Sequence, residues 1–126
     1  APEGVTSQEF FLREGTFRWR GRGHVELQRD RLIWTSTFPR IINTIFFSPK
    51  EVTVPLDSST ICRYQRSLNL EVLKLKHLKS SYALGIAFAS PAQTEVVQQL
   101  YERIKSQLGG DACVREVYRS GGWYRD

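Results

Sequence analysis

The chain has 126 residues, a formal net charge of +5, 40% hydrophobic and 25% charged residues. That composition is ordinary for a folded domain and too apolar for a disordered one. The length suits one domain with one core, and no run approaches the ~18 apolar residues that a spanning helix needs.

The opening residues Ala1-Pro2-Glu3-Gly4 have neither the basic nor the apolar region of a secretory signal. Methionine is absent, at the first position as elsewhere, which reads as a processed or excised piece of a longer protein with flanking domains. Phe17 and Trp19 then alternate with Arg18 and Arg20, the period of two expected of a half-buried strand. Val25 and Leu27 alternate with Glu26 and Gln28, Arg29-Asp30 reads as a tight hairpin turn, and Leu32-Ile33-Trp34 as the returning strand. Val52-Thr53-Val54 and Ile61–Tyr64 make two more strands, with Pro55 and Asp57-Ser58-Ser59 as punctuation between them. Leu70, Val72 (or its neighbour Leu73) and Leu75 make another. Lys79-Ser80-Ser81 turns the chain into Tyr82–Phe88, where Leu84, Ile86 and Phe88 share a face. Ser90-Pro91-Ala92-Gln93 then carries the hydroxyl N-cap, first-position proline and glutamine of a capping box. Val97, Leu100, Tyr101, Ile104 and Leu108 form one stripe at steps of three and four, and Gly109-Gly110 closes the element. A helix over 91–108 follows, roughly 27 Å long at 1.5 Å per residue.

About seven short strands before one terminal helix, with no helices for parallel crossovers, predict an antiparallel seven-stranded β-sandwich or partly open barrel capped by that helix. The domain spans 1–110, and 111–126 is a tail or linker: an add-back onto the domain, a connection onward, or a partner-binding peptide holding Trp123 and Tyr124. The run Gly21-Arg22-Gly23-His24-Val25-Glu26-Leu27, then Arg31-Leu32-Ile33-Trp34, resembles the glycine-led and Arg-Leu-Ile-aromatic strands of GRAM domains, within the pleckstrin-homology-like superfold. Val54-Pro55-Leu56-Asp57 followed by Ile61, and Phe88-Ala89-Ser90 before the helix, are similar to later signatures of that family. The resemblance covers roughly residues 10–108. It implies a non-enzymatic intracellular adaptor that binds phosphoinositide or other acidic phospholipid headgroups.

The basic surplus lies early. Seven arginines face five acids in residues 1–40, six basic residues face three acids in 41–80, and 81–126 hold five of each. Such a surplus suits an anionic partner, or solubility alone. Strict alternation places Arg18, Arg20 and Arg22 on one face of their strand, with Phe17 and Trp19 inward and two glycines that let a ligand approach. Three guanidiniums on one edge make a phosphate cradle, to which a protonated His24 would add. The competing reading is an arginine-rich solvent face that blocks edge pairing. The segment Phe38–Phe47, framed by Arg40 and Lys50, fits neither strand nor helix. As a loop it would show Ile42, Ile45 and Phe46 beside cations, for shallow membrane insertion or a protein contact; as a strand it would bury Ile45 and Phe47.

Trp19 and Trp34 fall on the inferred core-facing sides, which leaves few stacking platforms and disfavours nucleic acid. His24 and His77 belong to no motif, the carboxylates are scattered, and no His/Cys set has metal-ligand spacing. The expectation is no catalytic residue, no metal and no cofactor. Cys62 reads as a core residue and Cys113 as part of a polar segment; a bridge between them is open but unsupported, so a reducing, cytoplasmic setting is expected. Two functions remain: docking on an acidic membrane lipid surface, with peripheral membrane association, or binding a peptide or partner domain with the same fold.

Overall fold

The computed structural model describes residues 8–15, 18–39, 41–42, 50–67 and 69–117, less the side chains of 18, 19 and 115–117. Phe10-Phe11-Leu12 is a continuous apolar run without the alternation that marks a one-faced strand. It forms β1 (Phe10–Glu14) because both faces are used. Phe10 and Leu12 enter the main core, while Phe11 packs on a smaller cluster with Leu70, Val72 and Ala83 across the sheet. Phe11 lies so close over Gly85 that a Cβ there would sit 2.2 Å from its ring. β2 (Arg18–Leu27) joins into one ten-residue strand the two short strands that the alternation suggests. The Arg29-Asp30 turn is present as expected: Gln28 N–H donates to Arg31 C=O, 2.8 Å, and Leu27 pairs with Leu32.

β3 (Arg31–Ser36), β4 (Glu51–Pro55), β5 (Thr60–Arg66), β6 (Leu70–His77) and β7 (Ser80–Ala87) follow. In β6 the Val72/Leu73 alternative resolves into both: Leu73 and Leu75 enter the main core, and Leu70 and Val72 the smaller cluster. Phe88 departs from expectation. It leaves the face of Leu84 and Ile86, takes a left-handed backbone (φ 53°) and is 79% exposed, because the chain must turn there to reach the helix.

The helix, α1 (Pro91–Leu108), has the expected bounds. Ser90 Oγ accepts from Gln93 N–H, and the Gln93 side chain accepts from Ser90 N–H, which completes the capping box. Val97, Leu100, Tyr101 and Ile104 are buried against the sheet. Ser90→Ala is expected to cost about 1 kcal/mol of stability, measured by urea denaturation.

After α1 a single 3₁₀ turn (Gly110–Ala112) leads to β8 (Cys113–Val117), which pairs in parallel with β5. Among the described residues the sheet therefore has eight strands, in the order β4-β3-β2-β1-β7-β6-β5-β8, antiparallel except at that last pair and not closed. Part of the expected tail is thus an added strand. Among the described residues β1 is a strand that was not expected, and β2 merges two that were.

One polar network crosses the core. The Glu71 carboxylate, 2% exposed, accepts from the Tyr64 hydroxyl of β5 and the Thr94 hydroxyl of α1. Arg66 Nε lies 3.7 Å from it, and the Tyr64 ring leans on Tyr101 with centroids 5.4 Å apart. One side chain therefore joins β5, β6 and the first turn of α1. Among the described residues no helix is long and apolar enough to cross a membrane.

Candidate functional site

The expected arginine cradle is interrupted by backbone geometry. β1 and β2 pair with Leu12 opposite Gly21 but Arg13 opposite Trp19, so Arg20 is an extra residue in a β-bulge. A bulge breaks the two-residue period, and the alternation cannot carry 18, 20 and 22 onto one face. Gly21 supplies the positive φ (108°) that the bulge uses. Arg20 is 9% exposed, and its Nη2 donates to Glu14 Oε2 at 2.7 Å, with Nε at 3.0 Å to the same oxygen. This guanidinium is consumed by an internal pair. Arg22 is exposed two residues on, and Arg18 is placed by its backbone, opposite Glu14. His24 is half-buried, and its buried Nδ1 has no hydrogen-bond partner among the described residues.

Lys50 is exposed overall while its Nζ donates to Ser36 C=O at 2.8 Å. Ile42 is half-buried, its N–H donating to Pro39 C=O, and Ile41 beside it is 67% exposed in helical backbone. Arg40, Ile45 and Phe46 lie outside the described residues, as do Phe47 and the choice between loop and strand there. Phe38 packs against Gly21. The two clusters singled out in the sequence therefore adjoin, although Arg20 faces Glu14 and not solvent.

Two further contacts draw the β6–β7 hairpin to the same rim. Gly15 N–H donates to Ser81 C=O at 2.7 Å, linking the β1–β2 turn to the start of β7. His77 Nε2 lies 3.0 Å from Asp57 Oδ2, linking the hairpin to the β4–β5 connection. Asp57 is held below the usual carboxylate range, chiefly by the Ser59 N–H and further by His77.

The turn expected at Lys79-Ser80-Ser81 lies earlier, because Ser80 and Ser81 already open β7. His77 pairs with Ser80, which leaves a two-residue turn, Leu78-Lys79. Its first position has φ 54° at Leu78, a conformation for which glycine is the ordinary choice in such a turn. Leu78 is 69% exposed, and Lys76 and Lys79 beside it are exposed. On the neighbouring strand Ile61, 53% exposed, pairs with Lys76, and Arg63 pairs with Lys74. Cross-strand partners share a face, so one surface carries exposed aliphatic side chains among Lys74, Lys76 and Arg63. Arg63 and Lys74 also make contacts within the chain and remain partly exposed. The signal available was a leucine between lysines where turn chemistry calls for Gly, Asn or Asp.

No protein-family model matches the chain, and no curated protein matches it in sequence.

Proposed function

We propose that this chain is a non-enzymatic module of the pleckstrin-homology-like, GRAM type that docks on the anionic phospholipid surface of a membrane. Support for the fold part of this reading comes from the strand order β4-β3-β2-β1-β7-β6-β5 with a helix after β7, and from the sequence resemblance. The observation that carries the docking part is Leu78: an exposed leucine in a strained turn position, between two exposed lysines. A left-handed backbone costs a non-glycine residue ~1–2 kcal/mol; Phe88 shares it, but of the two only Leu78 stands among exposed lysines. At an acidic bilayer the side chain enters the interface while Lys76 and Lys79 meet the headgroups. Basic residues contribute ~1 kcal/mol each at such a surface, so a few of them with one leucine give weak, reversible binding.

Vesicle sedimentation tests the reading. The protein is expected to pellet with phosphatidylserine vesicles at low salt, to be released at high salt, and to ignore phosphatidylcholine. Recovery in the supernatant with phosphatidylserine at low salt would overturn it. Salt-tolerant capture of a protein instead would favour the peptide or domain-binding alternative.

Leu78→Gly separates the two costs. It is expected to raise stability by about 1 kcal/mol through relief of the turn, and to weaken vesicle binding about tenfold through loss of the inserted side chain. Thermal unfolding and sedimentation read the two effects independently.

A further inference from the structure

Cys62 of β5 and Cys113 of β8 are directly paired residues of the parallel ladder. Paired strands run ~4.8 Å apart, within the ~4.4–6.8 Å Cα separation that a disulfide spans. Both cysteines are free, both are buried, and both belong to the main core cluster. We propose that this pair is a redox-modification site, which a peroxide closes into an intrachain disulfide fastening β8 to β5. The proposal is independent of membrane docking.

Three features favour closure. β8 lies at one end of the sheet's strand order and, among the described residues, pairs with β5 alone, so it can shift slightly to bring the sulfurs to bonding distance. The two side chains already share the core face, so neither has to rotate out of the protein. Burial raises both thiols, Cys62 the more deeply enclosed; at Cys113 the neighbouring Cys62 and the charge of Lys105 act against burial, while the charge of Glu102 acts with it. Cys113, on the outermost strand, is therefore the first nucleophile.

Its thiolate attacks one oxygen of hydrogen peroxide, the O–O bond breaks, and the departing hydroxide takes the thiol's proton to leave as water. The Cys113 sulfenic acid is then attacked by the Cys62 sulfur. The S–O bond breaks, and that hydroxide leaves as a second water with the Cys62 proton. Two thiols and one peroxide become one disulfide and two waters, with the sulfurs oxidised and the peroxide reduced. An added dithiol returns both thiols by exchange.

Intact-mass measurement of the wild-type protein before and after hydrogen peroxide tests this without any substitution. The expected result is loss of two hydrogens, disappearance of both titratable thiols, a monomer on a non-reducing gel, and full reversal by dithiothreitol. Closing the long loop between the two residues raises the unfolding temperature by about 10 °C. Cys62→Ser and Cys113→Ser each abolish that rise. Retention of both thiols, conversion to sulfinic acid, or disulfide-linked dimers would each overturn the proposal. A disulfide that leaves the unfolding temperature unchanged would contradict the fastening of β8.

Discussion

Glu71→Ala is expected to lower the stability of the domain by about 3 kcal/mol, equivalent to a fall of roughly 10 °C in unfolding temperature. The substitution empties more than one contact. The Tyr64 hydroxyl, on a residue with no exposure, would lose its bond to this carboxylate, and the Thr94 hydroxyl would lose the bond that ties α1 to the sheet. Hydrogen bonds to a charged group contribute ~1.5–3 kcal/mol each. Arg66 adds little, since its side chain is 42% exposed and its Nε stands 3.7 Å away. Glu71→Gln keeps an acceptor and the volume, and about half the loss is expected there. Urea denaturation of the three proteins measures the differences. An alanine variant within about 0.5 kcal/mol of wild type would show that the network does not hold the helix to the sheet.

Reversing both hairpin lysines, Lys76→Glu with Lys79→Glu, is expected to reduce affinity for phosphatidylserine vesicles about 100-fold. Each reversal replaces an attraction of ~1 kcal/mol by a comparable repulsion, for a limit near 4 kcal/mol before screening. With a Debye length of ~8 Å at physiological salt, part of that is lost, and about 100-fold remains. Both side chains are exposed, so the thermal unfolding of the variant should match wild type within a few degrees. Sedimentation at a series of lipid concentrations measures the change. Undiminished affinity would remove the hairpin from the docking surface.

What could be read in advance followed from how local its cause is. α1 was legible to the residue because its signals lie inside it: the Ser90 cap, Pro91, Gln93 and the stripe from Val97 to Leu108. The pairing of Val25 and Leu27 with Trp34 and Leu32 was legible because the Arg29-Asp30 turn lies between them. The misses required partners distant in sequence. The bulge at Arg20 exists because β1 pairs with β2 in a shifted register, and nothing within Arg18–Arg22 records that shift. β8 is held by β5, about fifty residues earlier, so Cys113 looked like part of a polar tail when its position is opposite Cys62. Phe88 continued an alternation that the sheet abandons. The candidate site changed for the same reason. Charge and arginine spacing pointed to β2, but the Glu14 pairing of Arg20 and the exposure of Leu78 emerge only when the strands are assembled.

The most direct test of the account is paramagnetic broadening of methyl NMR signals by spin-labelled lipid in phosphatidylserine nanodiscs. Insertion of the β6–β7 tip predicts that the Leu78 and Ile61 methyls broaden first, while those of Leu73 and Ile104, buried in the core, stay sharp. Equal broadening at every exposed methyl, or none at Leu78 when the protein is bound, would contradict it.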